Sequence, residues 1–178
     1  MDEFPEEKTC MTLDFEGFFV QKQFQVRELG CVSHTQDHHR YAFHPKTPYS
    51  ALSVKDQRTV QYVRKHVHGL SFISRPPEHA QQQHAVSLVV KALYEIYKTD
   101  TKTLVAFKSG HVEKDLLNKL NIPWTDLEKW GSPKYSERGE RIPQELSIPS
   151  CGYHLNDNIH HCPVTECSAF WRWCRYSV

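Results

Sequence analysis

Asp14 and Glu16 stand two residues apart in MTLDFEGFFV, Met11 to Val20, an apolar and aromatic stretch with the composition of a β-strand. Strand residues i and i+2 point to the same face. Both carboxylates therefore share one side, and Leu13 and Phe15 take the other. Converging carboxylates repel unless a cation or a proton intervenes. Hard oxygen ligands at this spacing suit Mg²⁺ or Mn²⁺. A strand end with solvated acids fits the same pattern, and the D-x-E spacing on its own favours that plainer reading.

Three further groups carry chemistry. In CGYHLNDNIHHCPVTEC, Cys151 and His154 form a C-x2-H pair, and Cys162 follows across a turn-rich loop. Two thiolates and an imidazole are most of a tetrahedral zinc site, with a fourth ligand supplied from elsewhere. The competing reading is three unrelated polar residues near a helix start. His161 and Glu166 give H-x4-E across that helix start. A histidine there can act as a general base with the acid one turn in as a metal ligand, although a glutamate is also favoured at this position by the helix dipole. In VAFKSGHVEKDLL a strand runs through a glycine turn into a helix carrying Glu113 and Asp115. Acids there lie near the C-terminal end of a strand, where α/β sheets commonly place ligands, and acids are also common in any first helical turn.

The elements that must position these residues follow from pattern. TCMTLDFEGFFV, FQVRELGCVS and RYAFHP read as three strands of an antiparallel meander, the last stopped by Pro45. SVKDQRTVQYVRKHV reads as a helix with Ser53 as N-cap and Val60 and Val67 on one face. PEHAQQQHAVSLVVKALYEIYKT is the longest helical signal: Val86, Val89, Val90, Leu93, Tyr94 and Tyr97 keep the i, i+3, i+4 rhythm. TLVAFKS is a buried strand, GHVEKDLLNKL a short helix and WTDLEKW a further strand. Residues 131–150 are loop-like, and a last helix begins near Pro163. The order predicts an α/β domain over residues 9–178, a mixed sheet flanked by helices, after a loose tail at residues 1–8.

Composition bounds the function classes. The 178 residues are 39% hydrophobic and 24% charged with net charge +1, which describes an ordinary globular chain without a dominant basic face. No run reaches membrane-spanning length, and the acidic start MDEFPEEK does not read as an export signal. With no export signal, the six cysteines suit a reduced intracellular protein of nucleus or cytoplasm, not a secreted disulfide scaffold. Four of the six fall in the last 28 residues beside histidines, which points to metal.

Together, LDFEGF, ELGCV, LVAFKSGHVEKDLL and the H-x4-E pair resemble, in order and spacing, the DEDDh 3′–5′ exonucleases of the ribonuclease-H-like fold. The resemblance covers residues 10 to 175. It implies that Asp14, Glu16 and Glu166 hold two divalent ions, Mg²⁺ or Mn²⁺, with Glu113 completing the set, Asp115 as the competing choice and His161 orienting or deprotonating water. Glutamate stands at two positions where that family has aspartate. Lys108, Lys114 and Arg138 are candidate phosphate contacts. The chain also resembles the Maelstrom domain, a divergent member of the same fold. That resemblance implies a structural zinc ion held by Glu28 of ELGCV with Cys151, His154 and Cys162, a knuckle spanning residues 151–162. The expected activity is metal-dependent hydrolysis of single-stranded DNA or RNA from an end. The alternatives are a catalytically silent, zinc-stabilised RNA- or protein-binding module and a zinc-stabilised adaptor with no nucleic-acid role.

Overall fold

The computed structural model describes residues 6–72, 80–108 and 110–130 and, nearer the C-terminus, Pro163, Val164, Cys167, Ser168 and Trp171. Strands β1 (Thr9–Val20), β2 (Gln23–Ser33) and β3 (His38–Phe43) form the antiparallel meander that the alternation predicts. Strands β5 (Leu104–Phe107) and β6 (Trp124–Asp126) continue the sheet in parallel on the other side of β1. The two-residue β4 (Ala80–Gln81) pairs in parallel with β3, giving the order β4-β3-β2-β1-β5-β6. The helices are α1 (Val54–Val63), α2 (Ala85–Tyr97) and α3 (His111–Lys119), and the described residues from Pro163 onward are helical.

Each face of β1 has its own cover. Met11, Leu13 and Phe15 join Val105 and Phe107 of β5 in a core closed by Val86, Val90 and Leu93 of α2 and Leu117 of α3. On the opposite face, Phe18 and Val20 pack with Leu52 and Val60, where α1 crosses. Further back on that face Val32 packs with Cys167 and Trp171. Burying Leu13 and Phe15 contributes roughly 1.5–3 kcal/mol each. A one-residue slip of β1 would exchange them for the two acids, so the register is strongly specified.

One reading of the sequence needs correction. The long helix begins at Ala85 and not near Pro77: Ala80–Gln81 is strand, and residues 82–84 are irregular or turn. The cause is tertiary. The Gln83 carboxamide accepts from Val26 N–H at 3.0 Å and donates to the carbonyls of Val26 and His44, which pins this segment to the sheet. WTDLEKW carries its strand over Trp124–Asp126, after which Leu127–Trp130 forms a 3₁₀ helix. Ser53 does cap α1, its hydroxyl accepting from Asp56 N–H at 3.1 Å.

Candidate functional site

Asp14 and Glu16 lie on the face of β1 that carries Thr12 behind them and Phe18 ahead. Across β2 their partners are Gly30 and Glu28. The C-terminal helical residues cover the Thr12 end: the Thr12 hydroxyl reaches the Cys167 carbonyl at 3.4 Å, and Trp171 Nε1 donates to the Val32 carbonyl at 2.8 Å. Helix α1 covers the Phe18 end. The strip between these two covers carries Asp14, Glu16, Glu28 and Gly30. Asp14 and Glu16 are half-buried, and one carboxylate oxygen of Asp14 is shielded from solvent.

A third acid meets the β1 backbone on its β5 side. β5 pairs with β1 only as far as Thr12, so beyond it the β1 edge needs other partners. Glu113, in the first turn of α3, fills that role: its Oε1 accepts from Phe15 N–H at 3.0 Å, between Asp14 and Glu16 in the chain. Glu113 is 5% exposed. Gly110, the N-cap of α3, makes room for it, because a Cβ at 110 would overlap Glu113 Oε2. Asp115 on the same helix is exposed. Glu113 is therefore the α3 acid that meets β1.

Glu28 sits directly opposite Glu16, an arrangement of like charges that costs stability unless a cation intervenes. Arg40 on β3 supplies it: its Nε lies 2.6 Å from Glu28 Oε2, and Glu28 is wholly buried. Arg40 has no mark in the motifs, although the alternation of HHRYAF against ELGCV would put it on that face. A bulge falls at the same place. Glu16 pairs with Glu28 but Gly17 pairs with Val26, so Arg27 is the extra residue. Arg27 is buried, donating from Nε to the Ser71 carbonyl at 2.7 Å and from Nη1 to the Phe43 carbonyl at 2.6 Å.

The β1 backbone just past Glu16 is held by His68, which is wholly buried. Leu70 N–H donates to His68 Nδ1 at 2.9 Å, so Nδ1 carries no proton, and Nε2–H donates to the Gly17 carbonyl at 2.9 Å. This fixes the neutral Nε2–H tautomer.

Gly30 marks where the described C-terminal helical residues meet the sheet. A Cβ there would overlap the Pro163 backbone and side chain. Cys167 Sγ also donates to the Gly30 carbonyl at 3.4 Å. The residue that follows Cys162 in sequence thus lies against β2, two positions from Glu28. Cys151, His154, His161, Cys162, Glu166 and Arg138 lie outside the described residues. Among the described residues, no three His, Cys, Asp or Glu side chains are grouped to hold a metal ion. Lys108 is half-buried beyond the end of β5, and Lys114 Nζ lies 5.4 Å from the centre of the Trp124 ring.

Three described cysteines, Cys10, Cys31 and Cys167, are buried free thiols. Burial pushes Cys10 up from 9.0 to about 11, and burial with the neighbouring Cys10 raises Cys31 as well. Raised this way, Cys10 and Cys31 stay protonated at neutral pH and act as packing groups. No helix among the described residues is long and apolar enough to cross a membrane.

Fold and site define an α/β protein with a mixed six-stranded sheet, Asp14 and Glu16 on one face of β1 and Glu113 of α3 bonded to the β1 backbone between them in the chain. The sequence matches no protein-family model and no curated protein.

Proposed function

We propose that this chain is a ribonuclease-H-like, metal-dependent nuclease of the 3′–5′ exonuclease type, hydrolysing phosphodiester bonds of single-stranded DNA or RNA. The observation that carries the reading is the Glu113 hydrogen bond to Phe15 N–H, which ties an acid from α3 to β1 between Asp14 and Glu16. The sheet supports it, with an antiparallel meander on one side of β1 and parallel strands on the other.

The donor set fits a hard divalent ion: Asp14 and Glu16 offer carboxylate oxygens on one face, partly shielded from water. Bound Mg²⁺ or Mn²⁺ would supply an activated water and neutralise charge on the leaving oxygen. Asp14, Glu16 and Glu166 hold the ions in this reading. Glu113 completes the acidic set while its Oε1 stays anchored to Phe15 N–H. His161 orients or deprotonates the attacking water from the C-terminal segment. The Arg40–Glu28 pair keeps a second buried acid from repelling Glu16.

The test is incubation of the purified chain with Mn²⁺ or Mg²⁺ and an end-labelled oligonucleotide. Progressive shortening supports the reading. Shortening that is unchanged in an Asp14→Ala, Glu16→Ala double variant overturns it.

A second reading is a catalytically silent, Maelstrom-like, zinc-stabilised module that binds RNA or protein. The contact of Gly30 with Pro163 favours it, because it draws the neighbour of Cys162 toward the strand bearing Glu28. Zinc in this reading is held by Glu28, Cys151, His154 and Cys162. Metal analysis distinguishes it: about one zinc per chain with no nuclease activity is the expected result.

A further inference from the structure

Arg64 opens a π-helical turn, Arg64–His68, that continues α1 and ends at Gly69 in the left-handed region. Val60, Arg64 and His68 follow at intervals of four. Both flanking residues face β1. Val60 is wholly buried in the cluster with Phe18 and Val20. His68 bonds the Gly17 carbonyl and meets the Phe18 ring edge-on at 4.8 Å. Arg64 therefore belongs to the helix stripe that faces the part of β1 just beyond Glu16.

Its bonding sets it apart. Arg27 and Arg40 spend their donors on carbonyls and on Glu28. Arg64 Nε is shielded from solvent, yet among the described residues no acceptor meets it. A buried donor without an acceptor is rare and destabilising. π-helical turns interrupting α-helices frequently occur at functional sites. A guanidinium is permanently charged, and its planar fork of donors matches phosphate oxygens.

We infer that Arg64 is a phosphate-binding residue, gripping a backbone phosphate of the strand that enters beside Asp14 and Glu16. The identity of that ligand rests on the nuclease reading; the anion site does not. Positive charge at this point offsets repulsion between an incoming polyanion and the acids of β1.

The test follows the arginine Nε–Hε signals of the full chain by proton–nitrogen correlation. The Arg64 signal is assigned by its loss in Arg64→Gln. Inorganic phosphate, added against chloride at matched ionic strength, is expected to move this signal saturably and to leave exposed Arg58 on α1 unmoved. No saturable movement at Arg64 overturns the inference. Arg64→Met keeps the apolar stem and removes the unmet donor, so its melting temperature is expected to equal or exceed that of the parent. A clear loss would mark Arg64 as a structural residue and count against the inference.

A labelled single-stranded oligonucleotide, with Ca²⁺ replacing Mg²⁺ to hold back cleavage, supplies the second arm. Arg64→Gln is expected to reduce the slope of log affinity against log salt by about 0.7, the value of one lost single-strand phosphate contact. Arg58→Gln is expected to leave it unchanged. An unaltered slope in Arg64→Gln overturns the phosphate role and spares the nuclease reading. A phosphate response at Arg64 in a chain with no oligonucleotide affinity supports the anion site and rejects the nuclease reading.

Discussion

Glu113 on α3 accepts a hydrogen bond from the backbone N–H of Phe15 on β1 at 3.0 Å, across 98 residues of sequence. The bond lies past the last β1–β5 backbone pair, Thr12 with Ala106, where the sheet no longer supplies β1 with an acceptor on that side. A buried carboxylate does two things there: it satisfies the strand and ties an acid of α3 to the β1 backbone between Asp14 and Glu16 in the chain.

Glu113→Ala leaves the buried Phe15 N–H without its acceptor, and we predict a loss of about 1–3 kcal/mol in urea unfolding. Glu113→Gln keeps an acceptor oxygen and removes the charge. Its stability is expected to stay within about 1 kcal/mol of the parent, since a neutral bond replaces a charge-assisted one. Its nuclease activity is expected to fall by about 10–100-fold, the usual consequence of losing a group that supports metal ligands. Equal activity in Glu113→Gln and the parent would show that this carboxylate is only a strand anchor.

Gly110→Ala acts on the same bond from the other side. The new Cβ would occupy the place of Glu113 Oε2, and the flexible glutamate would have to swing away. The substitution is expected to lower activity by a similar factor to Glu113→Gln. Once Glu113 is alanine, adding Gly110→Ala is expected to cost little more, so the pair is strongly non-additive. Simple additivity in a double-mutant cycle would break the proposed link.

Gly30 is the contact between β2 and the C-terminal helical residues. Its methyl would collide with Pro163 backbone, which cannot rotate aside as a side chain can. Gly30→Ala is expected to cost about 1–3 kcal/mol by overpacking. It should also disturb Trp171, whose indole N–H is held by Val32 on the same face. A melting temperature equal to that of the parent would show that these residues dock differently.

Much of this architecture is legible in the sequence because it is local. The alternation around Asp14 and Glu16 defines β1, and the periodicity of Val86, Val90, Leu93 and Tyr97 defines the buried face of α2. Ser53 announces the start of α1. The remainder is set by partners distant in sequence. Gln83 delays α2 by bonding Val26 and His44, and no local propensity records that. The sequence offers both Glu113 and Asp115, and only the free β1 edge and the space over Gly110 separate them. Arg40 and Arg64 belong to no motif; one is found through the acid it neutralises, the other through a buried donor left unmet.

The buried thiols make a prediction for alkaline pH. Cys10 is raised from 9.0 to about 11 by burial, and Cys31 is raised by burial as well. The folded state therefore holds thiol protons that the unfolded chain releases. Their contribution is fully present below the unfolded value near 9 and is lost as pH rises toward the folded values. Urea midpoints are expected to fall steadily from pH 9 to pH 11. In native protein at pH 8, Cys10, Cys31 and Cys167 are expected to react with a thiol reagent only as fast as the chain opens. Rapid labelling of these three without unfolding would contradict their burial.

The most direct measurement is cleavage of a 5′-labelled single-stranded oligonucleotide by the purified chain with Mn²⁺ or Mg²⁺, beside the Asp14→Ala, Glu16→Ala variant. The proposed function predicts metal-dependent shortening from the 3′ end by the parent and none by a folded variant. Failure of the parent to cut with either metal, or equal cutting by both proteins, would contradict it.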